Sequence, residues 1–273
     1  VIAVMLSGAM LSLSGGAMQG LLRNPLADGS TFGVSSGASL GATLSIALGL
    51  SIPGLAGGAT SLMAVVFAFF SLALILGLAS RLDGTMSTST IILVGVIFTM
   101  FASAIISLIV TFAGDKVRSI MFWTMGSLAG SSFRDVAWLG VSLAVFGAAI
   151  LRFSSELNAF ALGEENARSI GVDVKRVKRW VLIAVSALIG VSVSVGGTIG
   201  FVGLVVPHMT RMVVGPDHRK LLPASVFAGG VFLMLADLMS RVILKPLELP
   251  IGVITSFIGS IAFVYIFFKT RKA

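Results

Sequence analysis

Apolar residues dominate the chain in runs of 16 to 23 residues, parted by short polar stretches rich in Gly, Pro and charge. A helix needs about 20 such residues to cross the hydrocarbon core of a bilayer. The runs lie near Val1–Leu22, Phe32–Leu50, Gly57–Ala79, Ile91–Ala113, Val136–Leu151, Trp180–Gly196, Ile199–Val214, Leu221–Val242 and Ile251–Phe268. They predict an all-α polytopic membrane protein of about nine transmembrane helices in one domain, residues 1–273, with ends good to a few residues.

Within the runs, small residues recur at spacing four: Gly8, Ser12, Gly16 and Gly20 in the first, Gly33, Gly37 and Gly41 in the second. Such stripes let helix backbones approach closely in lipid, so packing is the favoured reading and a substrate path the lesser one. The stretch Ser119–Gly130 is too short to span, and Gly126 and Gly130 predict a half helix or re-entrant turn on the outer side. Pore lining and surface loop both stay open for it.

One segment breaks the pattern. Leu157 to Trp180 holds eight of the thirty charged residues. Gly163 ends a short predicted helix carrying Leu157, Phe160 and Leu162, Glu164–Ile170 forms a second with acidic residues at its start, and Gly171 stops it. Asp173 then caps the next span, whose first turn carries Lys175, Arg176, Lys178 and Arg179. The unit is expected to offer Leu162, Ala167 and Ile170 beside Glu164, Glu165 and Arg168, a mixed surface suited to docking a soluble partner. A plain connecting loop would need only a few residues.

Composition agrees with the runs. The chain is 56% hydrophobic and 11% charged, against about a quarter charged in soluble domains. Absence of Cys removes disulfides, thiolate metal sites and Cys nucleophiles. With Val1 placed outside and the spans alternating, fourteen of the nineteen Lys and Arg fall on one side, which the positive-inside rule makes cytosolic. That assigns Leu157–Trp180 and the C-terminal "KTRKA" to the cytosol. Val1–Leu22 is too long for a signal-peptide core, and without an initiator Met the sequence is expected to lack its natural N-terminus.

Catalytic patterns are sparse. There is no P-loop motif, and His208 and His218 have neither an H-E-x-x-H frame nor nearby carboxylates suited to zinc. Polar interface residues are the favoured reading for both; an intramembrane enzyme built on His208 is the minor one. Asp237 and Arg241, spaced i, i+4, are the one pair that could serve ion-coupled transport, and can equally neutralise each other or leave Arg241 for an external acidic partner.

"GAMQGLLRNPLADGSTFGVSSGASLGA", "LNAFALGEENARSIGV", "GFVGLVVPHMTRMVVGPDHRKLLP" and "LELPIGVITSFIGS" resemble the permease subunits of bacterial ABC importers for ferric siderophores, haem and vitamin B12 (FecCD-type, type II). The resemblance covers the whole chain in order. It implies ten spans per subunit, the first apparently missing here, together with a second permease (homo- or heterodimer), two cytosolic ABC ATPases and an extracytoplasmic binding protein, in the bacterial cytoplasmic membrane. No cofactor and no metal is expected on this chain, ATP and Mg being used by the partner, and no nucleic acid. The segment 154–179 would be the coupling unit, with Leu162, Gly163, Glu164, Glu165, Ala167, Arg168, Ser169, Ile170 and Gly171 entering the ATPase. Arg241 would receive an acidic residue of the binding protein, and Asn24, Leu26, Thr88 and Ser89 would close the cytosolic end. For Asn24 an Asx turn, and for Ser87 or Thr88 a helix cap, are the local alternatives. Ferric siderophore is the expected cargo, with haem and cobalamin beside it.

Overall fold

The structure is a computed structural model that describes residues 1–29, 32–54, 57–84 and 87–271, the last seven without their side chains. Met86 of the "STST" approach and the end of the basic tail lie outside the described residues. The helices are α1 (Ile2–Leu22), α2 (Val34–Leu48), α3 (Gly58–Leu82), α4 (Thr88–Phe112), α5 (Val117–Met125), α6 (Phe133–Ser142), α7 (Ala148–Arg152), α8 (Ser154–Ala161), α9 (Glu164–Ser169), α10 (Val174–Gly196), α11 (Val202–Val214), α12 (His218–Val242) and α13 (Ile251–Arg271). A π turn, Leu143–Gly147, joins α6 to α7 as one rod. Among the described residues, six helices are long and apolar enough to cross a membrane: α1, α3, α4, the α6–α7 rod, α10 and α12. The shorter apolar helices are α2, α11 and the described part of α13.

The core forms around α1 and α10, whose apolar windows are 83% and 72% buried, against 28% for α4. α1 lies against α12, α11 and α10; α3 pairs with α2 and α10. Both small-residue stripes are packing surfaces. A Cβ on Gly8 would run into the carbonyl of Gly229, one on Gly229 into Ser12, and one on Gly20 into the ring of His218, so the whole first stripe faces α12. The second faces α3, where Gly37 meets Ser71 and Gly41 meets Met63 and Phe67. At the α1 and α11 crossing, Gly15 touches the backbone of Gly203 with no room for a side chain.

Two expected spans are shorter than the hydropathy predicts. Phe32–Leu50 becomes the 15-residue α2, and Ile199–Val214 the 13-residue α11, lengths of roughly 20 Å. Both helices start inside the fold. Gly33 lies against Ile75, seven residues or roughly 10 Å from the α3 end at Leu82, and against Phe98, ten residues or roughly 15 Å from the α4 start at Thr88. Gly29 abuts Ile189, deep along α10. Apolar loop residues that turn back into the fold are indistinguishable from helix by hydropathy alone, which is why the runs over-counted them.

α11 begins from Phe201, held at φ 67°, and contains Pro207. Proline has no N–H, so the Gly203 carbonyl loses its helical donor. Gln19 of α1, 2% exposed, supplies the replacement: its Nε2 donates to Gly203 O at 3.3 Å and Leu204 O at 3.0 Å. α10 starts at Val174, ahead of the apolar run and at the expected cap, with Asp173 Oδ1 accepting from the Arg176 N–H at 3.0 Å.

Candidate functional site

The connections after α1, between α3 and α4, from α7 to α10 and between α11 and α12 gather at one end of the bundle, and α8 and α9 lie across it. α8 is anchored by Leu157 and Phe160, both fully buried, each worth roughly 1.5–3 kcal/mol of apolar burial. Gly163 then turns the chain at φ 109°, a backbone region that favours glycine. Its Cα faces the Arg23 guanidinium, the first residue after α1, so a Cβ would stand 3.5 Å from Nη1. α9 follows and stops at Ile170, with Gly171 at φ 90°.

Leu162 and Ile170 stand out at 67% and 66% exposure, and Glu165, Arg168, Ser169 and Gly171 are exposed with them. Ala167 is a correction to the expected surface. It is fully buried, because three residues on from Glu164 it shares the inward face of a helix of six residues.

Glu164 also turns inward. Its Oε1 accepts from Lys178 Nζ of α10 at 2.7 Å and from the Thr88 hydroxyl of α4 at 3.1 Å. Lys178, one of the four cations expected on the first turn of a span, has a side chain only 2% exposed. The signal was present in the spacing, since Val174, Val177, Lys178 and Val181 share one buried helix face whereas Lys175, Arg176 and Arg179 point outward. Counting cations for sidedness treats them alike and misses this.

The four expected gate residues lie at the same end. Asn24 makes an Asx turn, its Oδ1 accepting from Leu26 N–H at 2.9 Å, and Leu26 is 44% exposed. Ser87 caps α4 through the Thr90 N–H at 3.3 Å, and its own N–H donates to Asp83 Oδ2 at 2.9 Å. Thr88 is thereby left for Glu164, and Ser89 is exposed.

A second junction escaped the sequence reading. Asn158 of α8 donates from Nδ2 to Asp217 Oδ1 at 2.6 Å, while its Oδ1 accepts from the His218 N–H and the His218 ring Nδ1, both at 2.8 Å. The backbone N–H of Arg219, with the Asn158 amide, holds the Asp217 carboxyl below its ordinary value. His218, 4% exposed, packs on Gly20, so α8 is fastened to α1 and α12 together. Among the described residues, neither histidine stands in a group of three or more metal-ligating side chains.

At the opposite end Arg241 pairs with Asp237, Nε to Oδ2 at 2.9 Å and Nη2 to Oδ1 at 3.1 Å, and reaches Glu248 at 3.6 Å. Its side chain remains 38% exposed. The expected outer half helix is α5. It is pinned by the Ser127 N–H on Gly196 O at 2.8 Å and by the Thr198 hydroxyl on Thr124 O. Between these ends, Asp28 and the hydroxyls of Ser35, Ser36, Ser39, Ser103, Thr124 and Thr198 line a cavity of about 300 Å³, with Phe201 at its wall.

Comparison with known proteins matches this architecture. The model of the FecCD transport family matches residues 1–269. The ABC transporter permease protein YvrB of Bacillus subtilis is 45% identical, covering 100% of this chain and 77% of that protein. The cobalamin import system permease protein BtuC of Halobacterium salinarum is 40% identical over 95% of this chain and 68% of its own length. A solved structure described as an inward-facing conformation of a metal-chelate type ABC transporter superposes with TM-score 0.90 at 33% identity, covering 98% of this chain and 84% of that one. A bundle of apolar helices with backbone-close Gly contacts and a basic, helix-capped end, matched over nearly its whole length by that family model, belongs to the FecCD transport family of ABC permeases.

Proposed function

We propose that this chain is one of two permease subunits of an ATP-driven importer that receives a metal chelate from an external binding protein and releases it to the cytosol by alternating access. The end bearing α8 and α9 faces the cytosol, with the C-terminus on the same side, and an ABC ATPase occupies the surface of Leu162–Gly171. The observation that carries the reading is the exposed pair Leu162 and Ile170, flanking Glu165 and Arg168 on a helix whose inner face is tied to α4 and α10. Apolar anchors beside charges on a short rigid helix suit a protein partner.

Nucleotide chemistry belongs to that partner, and this chain binds no cofactor or metal of its own. Arg241, oriented by Asp237 and still exposed, suits capture of an acidic side chain of the binding protein. The path runs between two permease copies, closed at the cytosolic end by Asn24, Leu26, Thr88 and Ser89. Cobalamin is the first cargo to test, because a relative at 40% identity is a cobalamin permease, with ferric siderophore and haem beside it.

The test is co-purification in detergent with a candidate ABC ATPase. Wild type should bring the ATPase down, and Leu162→Asp with Ile170→Asp should not, at unchanged monodispersity. A folded wild type that binds no ATPase under any nucleotide condition overturns the reading. Uptake of cyanocobalamin, a ferric siderophore and haem by the assembled complex then separates the cargoes.

A further inference from the structure

Thr88 and Lys178 donate to the same oxygen, Glu164 Oε1, from two different long helices. Thr88 is the first residue of α4, and Lys178 lies about one turn into α10. The start of α4 does not need the Thr88 hydroxyl for its own sake, since Ser87 caps it and Asp83 steadies Ser87. That hydroxyl is used between elements instead. Lys178 is 2% exposed, so the ammonium cannot exchange the carboxylate for bulk water when α9 moves. A buried cation paired with a carboxylate resists separation more than a surface pair does. α9 itself is six residues long with Ala167 as its buried residue, so its position is set by what Glu164 holds.

We infer that Glu164 Oε1 is the joint through which displacement of α9 is passed to the cytosolic end of α4, with Lys178 as the buried pivot and Thr88 as the positioning residue that makes α4 follow. The inference rests on the proposed ATPase seat on α8 and α9, and gives Lys178, which is not among the residues expected to enter the ATPase, a role of its own in that machinery. The neighbouring turn adds to it, because Arg23 stands against Gly163 and so places the loop after α1 at the same joint.

The chain has no Cys, so Leu93→Cys provides a single labelling point on α4 at a residue 59% exposed. The experiment measures the spin-label distance between Leu93→Cys sites of two permease copies in the complex with cysteine-free ATPase, with and without ATP. Thr88→Val removes the hydroxyl at nearly constant shape, Thr88→Ser keeps it, and Lys178→Met removes the pivot. Expected is an ATP-dependent shift in the Leu93→Cys background and with Thr88→Ser, and its loss with Thr88→Val and Lys178→Met although the ATPase still co-purifies. An unchanged shift in Thr88→Val overturns the joint, as does equal loss in Thr88→Ser. Should Lys178→Met fail to fold, the Val and Ser pair at position 88 still decides. Failure of the parent complex to bind ATPase is a different result, and strikes the proposed function itself.

Discussion

Lys178 Nζ and Glu164 Oε1 are 2.7 Å apart, the lysine side chain 2% exposed and the glutamate 20%. Removing one member breaks an ion pair in a place with little water, at a cost of ~3–5 kcal/mol for a fully buried pair and less here for the part-exposed carboxylate. Glu164→Gln should therefore lower the thermal unfolding midpoint in detergent, whereas the double change Glu164→Met with Lys178→Met should recover most of the loss. Equal midpoints for Glu164→Gln and wild type would mean that the pair is solvated like a surface bridge.

Gln19 and Pro207 form a compensating couple. Gln19→Leu leaves the Gly203 carbonyl without a donor and should cost ~1–3 kcal/mol of stability. Pro207→Ala restores an N–H four residues beyond Gly203 and should rescue Gln19→Leu while changing the wild type less. Additive midpoints in the four-member cycle would show that the two do not share that carbonyl.

Glycines divide by what surrounds them. Gly15→Ala must push the α11 backbone away at Gly203 and should destabilise by ~1–3 kcal/mol or more, because the obstructing atoms are main chain. Gly77→Ala, in the interior of α3 with open space around it, should stabilise by ~0.5–1 kcal/mol through helix propensity. Midpoints measured side by side check the sign difference.

Much of this was legible in the chain. The spacing of Gly8, Ser12, Gly16 and Gly20 gave a packing stripe, and Gly163, Gly171 and Asp173 marked the breaks and cap of the α8, α9 and α10 unit. What periodicity cannot carry is the partner of each face: nothing in the stripe says α12 rather than α3. Nor can hydropathy separate a membrane-crossing helix from a loop folded back among helices, since both are apolar, and so α2 and α11 were read too long. Glu164, Thr88 and Lys178 were each visible as residues, but their junction joins positions 76 and 14 apart, a tertiary fact.

The Asp217 carboxyl titrates below its ordinary value of about 3.9 because the Arg219 backbone N–H and the Asn158 amide favour its anion. A lowered folded value means a stabilising contribution fully present above that ordinary value and lost as pH falls through the folded one. Protection of the α8 amides, residues 154–161, against hydrogen exchange should thus hold from neutral pH down to about 4 and weaken below it. Asp217→Asn should abolish that acid step. A step of the same size in Asp217→Asn assigns it to another carboxylate.

Asp237 separates the two transport mechanisms the sequence left open. An ion-coupled carrier needs a carboxylate that gains and loses its proton during the cycle. Here both carboxylate oxygens accept from the Arg241 guanidinium, a bidentate arrangement that occupies the carboxylate and holds Arg241 at the end of the bundle opposite α8 and α9. Asp237→Asn should therefore leave ATP-driven uptake measurable and independent of a proton gradient, while loosening Arg241 and weakening capture of the binding protein. Arg241→Glu should go further and lose capture by at least tenfold, about 1.4 kcal/mol, because like charges then meet at the docking surface. Binding-protein titration onto the permease in nanodiscs reads both effects. Uptake that collapses with Asp237→Asn while capture stays intact would return the proton-coupled mechanism to first place.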